Sequence, residues 1–220
     1  MNTKTSPPLL SEIAYERILD ALMAQSLPLG AILTQHELTK IAGVPVGPVR
    51  DALKALENDG IVVIHPRSGI EVIRRSTDLI RSTYQFRMLI ERDAARVFAL
   101  QASTADVRRL IDLHEAADAE YGASDPTTTV SDRMTKLENS FHFAIVAALG
   151  NEMINLSYRR LTLMSRIIKL NDFVLPVVAR TSVAEHLVVL YAFKNRDADA
   201  AEAAIRQHLL RALNRSLGLT

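Results

Sequence analysis

Four residues in the second half of this 220-residue chain could act together. Glu138 and His142 are four apart, so on a helix both project from one face, about 6 Å from each other. His186 and His208 each lie eleven residues from Asp197. With Asp197 at the turn of a helical hairpin, each would stand roughly 16 Å along its own helix, and the two would come level. One carboxylate and three imidazoles would then converge from three helices, a ligand set suited to zinc first, and also to nickel, manganese or iron. The chain has no cysteine, so disulfides, thiolate ligands and cysteine nucleophiles are excluded, and any metal must be held by His and carboxylate. Spacing alone equally allows an ordinary helical Glu–His pair and two satisfied or solvated histidines. A vacant metal position would also suit a small metal-dependent hydrolase, although no further base, nucleophile or oxyanion donor is recognisable beside the four residues.

The elements that must carry these residues read as helices. From about residue 76 onward nearly everything has helical periodicity, with six helices predicted at about 77–102, 104–121, 127–149, 152–170, 173–194 and 198–216. The breaks fall at Ser103, at Gly122 to Pro126, at Gly150-Asn151, at Asn171-Asp172 and at Asn195 to Asp197. Short connections make neighbours antiparallel, so this half is expected to be an all-α six-helix bundle.

Residues 9–75 follow a different regime. Ala14, Ile18, Ala21 and Leu22 share a helical face, stopped by Pro28-Leu29-Gly30. Thr34 to Glu37 has the spacing of a capping box and opens a short helix ending at Ala42-Gly43. Val49, Ala52, Leu53 and Leu56 then define a third helix with Arg50, Asp51 and Lys54 outward. Ile61 to Ile64 and Ile70 to Ile73, joined by His65 to Gly69, read as a β-hairpin. Three helices and a hairpin make a winged helix-turn-helix, in which the third helix enters the major groove and Arg67 sits at the wing tip. The first 75 residues carry eight Lys/Arg against eight Asp/Glu, which argues against strong nonspecific DNA binding and puts the weight on where a few cations stand. No apolar run reaches the ~18–20 residues of a membrane span, and the first eight residues lack a signal-peptide core, so a cytoplasmic protein is expected.

Leu27-Pro28-Leu29-Gly30, Glu37-Leu38, Pro48-Val49-Arg50-Asp51-Ala52-Leu53, Leu56-Glu57-Asn58-Asp59-Gly60 and Pro66-Arg67-Ser68-Gly69 together resemble the winged-helix domain of GntR-type regulators. The resemblance implies a homodimer on a (pseudo)palindromic operator, acting as a repressor, with Arg50 and Arg67 as its clearest DNA-contacting cations and Lys54 and His36 as additions. It departs at Pro45-Val46-Gly47, where the family's usual Ser-Arg-Thr would supply a hydroxyl N-cap worth roughly 1 kcal/mol and an arginine base reader. DNA binding is still expected, on an unusual operator or with weaker affinity; the competing reading that draws support from this departure and from the balanced charge is an interaction protein that has lost DNA binding.

In the second half, Glu138 to His142, Ala148 to Asn151, Glu185-His186-Leu187, Arg196 to Ala201 and Gln207-His208-Leu209 are similar to the ligand domain of the FadR subgroup, in its shorter six-helix branch. That similarity implies a metal held by Glu138, His142, His186 and His208, with Glu138 standing where the subgroup has Asp. It also implies a small carboxylate-bearing effector clamped by Arg87, with Arg166 a further candidate. The competing reading of Arg87 is an i,i+4 surface pair with Glu91, worth about 0.3–0.5 kcal/mol.

Overall fold

The computed structural model describes residues 7–170 and 172–219. The chain divides into two compact units, one ending at Ser76 and the other beginning at Thr77. Together they are mostly helical, with nine helices and one three-stranded sheet among the described residues.

In the first unit, α1 (Leu10–Met23) starts where the Leu9 N–H donates to Glu12 Oε2 at 2.9 Å, and it buries Ala14, Ile18 and Leu22. The capping box forms at α2 (Gln35–Ala42): the Glu37 N–H donates to Thr34 Oγ1 at 3.2 Å and the Thr34 N–H to Glu37 Oε2 at 2.8 Å. Gly43 ends that helix at φ +61°, the left-handed conformation that suits glycine. Helix α3 (Val46–Asn58) lays Val49, Ala52, Leu53 and Leu56 into the core. Its start at Pro45 carries no side-chain cap, as the missing hydroxyl requires.

The hairpin is β2 (Val62–His65) and β3 (Gly69–Val72), antiparallel with Ile64 opposite Ile70. Both strands are shifted by one residue from the expected 61–64 and 70–73. The Ile61 N–H closes α3 by donating to Leu56 O at 2.8 Å, and so cannot begin the strand. A further strand went unread in the sequence. β1 (Ile32–Leu33) pairs with β3, Ile32 opposite Glu71, giving the order β1-β3-β2. Two residues are too few to show a period-2 pattern.

The second unit packs α4 (Thr77–Gln101), α5 (Thr104–Ala123), α6 (Ser131–Ala147), α7 (Glu152–Ile167), α8 (Pro176–Lys194) and α9 (Ala198–Leu217) around one core. α4 lies mainly against α9, and α5 against α8. Phe98, Phe141, Leu190, Phe193 and Leu209 are buried there, with the Phe98 and Phe193 rings 4.7 Å apart. Two starts fall later than expected. The Asp125 carboxylate accepts from both Thr127 N–H and Oγ1, at 2.8 and 2.7 Å, and this Asx turn holds the chain out of helix until Ser131. Pro176 opens α8, which fits a residue whose missing N–H would be unsatisfied in a first turn anyway. At the other end of that hairpin, Asp197 caps α9 by accepting from the Ala200 N–H at 2.9 Å. Among the described residues no helix is long and apolar enough to cross a membrane.

Candidate metal centre

Three histidines occupy positions in apolar helix stripes that would ordinarily hold core aliphatics. His142 follows Phe141 and precedes Ile145 on α6, His186 lies between Val183 and Val189 on α8, and His208 lies between Ile205 and Ala212 on α9. Burying these faces carries the imidazoles inside, where each is at most 4 % exposed. One ligand nitrogen from each lies within 4.8 Å of the other two. Phe141 stacks on His186 with ring centroids 4.1 Å apart and so restrains the ring's tilt.

The partners of the other ring nitrogens fix the tautomers. His142 Nδ1–H donates to Glu91 Oε2 at 2.7 Å, and His208 Nδ1–H donates to Glu185 Oε2 at 2.8 Å. For His186 the partner is a fourth histidine. His114 Nδ1–H donates to the Leu110 carbonyl at 2.7 Å, so its Nε2 is an acceptor, and His186 Nδ1–H donates to it at 3.1 Å. Burial lowers the pKa of His142 to about 4 and holds that of His186 well below its ordinary value, which keeps both rings neutral. The Nε2 atoms of His142 and His186 therefore present lone pairs, and His208, held through Nδ1, turns its Nε2 toward them. His142 Nε2 is buried without a hydrogen-bond partner. The Nε2 atoms of His186 and His208 are 3.3 Å apart. Two nitrogens on one tetrahedral zinc, each at about 2.0–2.1 Å, stand roughly 3.3–3.4 Å apart. This donor set fits a divalent transition metal.

The carboxylates behind the rings are themselves held. Glu91, fully buried, accepts from Arg87 Nε at 2.6 Å and from Tyr158 Oη at 2.8 Å as well as from His142. Arg87 is only 4 % exposed, so its pair with Glu91 is internal and differs in kind from the exposed i,i+4 pair considered from spacing. Glu185 accepts from Arg215 Nη1 and Nη2 at 2.9 and 3.0 Å. Burial works against the Glu185 charge, but His208 and Arg215 outweigh it and lower its pKa to about 2. Such carboxylate–imidazole pairs orient a ligating ring and raise its basicity.

The structure does not bring Glu138 into the nitrogen trio. Its Oε2 accepts from Lys169 Nζ at 2.6 Å and its Oε1 from Ser182 Oγ at 3.0 Å. Burial disfavours its charge, yet the Lys169 ammonium prevails and holds the carboxyl well below the usual carboxylate range. Glu138, His142 and Lys169 line a cavity together with Arg87, Thr162 and Arg166, so both arginines named from sequence border the same space. Glu185, His114 and Lys169 were not identified in the sequence. His114 had a signal: it continues the stripe of Val107, Leu110 and Ile111 at seven, four and three residues.

In the first unit, His36, Arg50, Lys54 and Arg67 are all exposed. Arg50 and Lys54 project from the outer side of α3, and Lys54 Nζ lies 3.7 Å from Asp51. Arg67 takes the wing tip at φ +70°, and His36 stands in the first turn of α2.

Residues 10–72 match the family of bacterial regulatory proteins, gntR family, and residues 82–211 match the FCD domain. The chain belongs to the GntR regulators that carry an FCD domain. Among curated relatives, this GntR regulator is 27 % identical over 194 residues to the Uxu operon transcriptional regulator of Escherichia coli (strain K12), covering 80 % of this chain and 74 % of that protein. It is 23 % identical over 182 residues to the Nta operon transcriptional regulator of Aminobacter aminovorans, covering 82 % and 81 %. Among solved structures, E. coli McbR/YncC superposes with a TM-score of 0.75 at 16 % identity, covering 96 % of this chain and 99 % of that one, which supports the fold. The relatives are transcription regulators, and this GntR protein is a regulator and not an enzyme. That sets aside the hydrolase reading of the histidine cluster.

Proposed function

We propose that this GntR regulator is a cytoplasmic homodimeric repressor of the FadR subgroup, whose second unit holds a divalent metal, zinc foremost, beside a pocket for a small carboxylate-bearing effector. His142, His186 and His208 would hold the ion through Nε2. Glu138, with both oxygens engaged by Lys169 and Ser182, fits a place beside the ion better than one on it. Bound metal would supply Lewis acidity toward an anionic ligand. Arg87 and Arg166 would orient that ligand's carboxylate from the cavity wall. Arg50 and Arg67, with Lys54 and His36, would make the operator contacts.

The observation that carries this reading is the buried, unpartnered His142 Nε2 aimed at two further imidazole nitrogens. A buried polar atom without a partner costs about 1–3 kcal/mol, and a shared cation removes that cost. An effector would alter operator binding only to the extent that it binds the DNA-competent and incompetent states unequally. The test is elemental analysis of the purified protein. Near-stoichiometric transition metal that falls sharply in His186→Ala is expected, and equal metal content in both would dismiss the site. Acidic metabolites screened for a rise in Tm, with and without chelator, would then identify the effector class.

A further inference from the structure

The outer side of α3 is unusual for a helix that meets base edges. Its first turn offers no hydrogen-bonding side chain: Pro45, Val46, Gly47 and Pro48 precede Arg50. Val46 is 49 % exposed, so its methyl groups are available for contact. It stands three and seven residues before Val49 and Leu53, at the N-terminal end of their stripe, but is not among the buried residues Val49, Ala52, Leu53 and Leu56. At Gly47 an added Cβ would meet nothing within 4 Å, so the backbone beside Val46 is open to close approach. Side chains at the start of a helix lean toward its N-terminus, the end that a recognition helix directs at base edges.

Val46 and Arg50 are four residues apart on one face, about 6 Å along the axis, and successive base pairs rise about 3.4 Å. The two side chains therefore address base pairs one or two steps apart. Arg50 supplies donors for a guanine edge or a phosphate. Val46 supplies only methyl groups, and the base edge that matches them in the major groove is the thymine 5-methyl. We propose that Val46 is a base-specifying residue of this regulator, selecting a thymine one or two steps from the base pair at Arg50 by methyl–methyl packing. The proposal rests on α3 being the reading helix.

The test begins with full-length protein and duplexes selected from a random-sequence pool. Each selected thymine is replaced in turn by deoxyuridine, which removes only the 5-methyl group. At one thymine per half-site the replacement is expected to weaken binding roughly fourfold, the worth of about one buried methyl. In Val46→Ala, which changes both protomers of the dimer, binding to thymine DNA should fall by about the square of that factor, roughly 16-fold, and the thymine-to-uracil difference at that position should shrink below about 1.5-fold. Since Val46 is exposed and alanine is the better helix former, Tm and the salt dependence of binding should be unchanged. If no thymine responds to deoxyuridine, or if Val46→Ala keeps the full thymine-to-uracil difference, the proposal is overturned while the α3 reading stands. If Arg50→Ala binds the selected duplexes as well as the wild type, the α3 reading itself falls.

Discussion

The Arg87–Glu91 pair separates two physical accounts by an order of magnitude. As an exposed i,i+4 pair it would contribute about 0.3–0.5 kcal/mol. In the structure Glu91 is fully buried and collects Arg87, Tyr158 and His142 on one carboxylate. Replacing it by leucine in Glu91→Leu strands the Arg87 guanidinium without a counter-charge, which typically costs about 3–5 kcal/mol. At roughly 2–4 °C per kcal/mol for a protein of this size, Tm should fall by about 6–20 °C. The double variant Arg87→Met/Glu91→Leu removes both charges and should regain part of the loss. It should stay below the wild type, because His142 Nδ1 and the Tyr158 hydroxyl still lose their acceptor. The assay is thermal and urea unfolding followed by circular dichroism with chelator present, so that metal binding does not contribute. A single-variant cost under about 1 kcal/mol, or a double variant no more stable than the single, would refute the argument.

Three further outcomes are expected. Burial depresses the His142 pKa to about 4, so the native state disfavours its proton and the unfolded chain, at about 6.5, takes it up first. Stability of metal-free protein is therefore complete above pH ~6.5 and declines as pH falls toward about 4; a flat Tm-versus-pH profile over that window in chelator would contradict this. Glu185→Gln removes the charge behind His208 and the counter-ion of Arg215, and metal affinity measured by chelator competition should fall about 10- to 100-fold. Gly43→Ala forces a Cβ into a φ of +61° and places it 2.9 Å from Arg17 Nη1, which donates to the Ala42 carbonyl at 2.7 Å. The combined strain should cost about 1–2 kcal/mol, read as a lower urea midpoint for the first unit.

What the sequence disclosed depended on the range over which each signal acts. Helix spans and their breaks were legible because caps such as Thr34, Ser103, Asn151 and Asp197 act within one turn. The late starts of α6 and α8 were not, since the Asx turn at Asp125 competes locally with helix and Pro176 admits either reading. Equal spacing from Asp197 sufficed to bring His186 level with His208 across the α8–α9 hairpin. The groups behind the rings were illegible for the opposite reason. His114 reaches His186 across 72 positions and Glu91 reaches His142 across 51, distances over which only packing decides who meets whom. Lys169 is the clearest case, because nothing near it in sequence indicates that it engages Glu138, 31 residues away.

The small strand β1 has a mechanical consequence for DNA recognition. Leu33 pairs with Ile70 of the wing and is followed at once by Thr34, which caps α2. The fit is tight enough that a Cβ at Gly69 would lie 2.9 Å from the Leu33 carbonyl oxygen. Wing and helix-turn-helix are thus joined by one sheet. With the Arg67 tip and α3 on DNA as proposed, the span between them would work as a calliper, adjusting poorly to a groove of the wrong width and discriminating against it. DNA whose grooves already have the matching dimension would then be favoured, and base pairs that no side chain touches would acquire sequence preference through their stiffness.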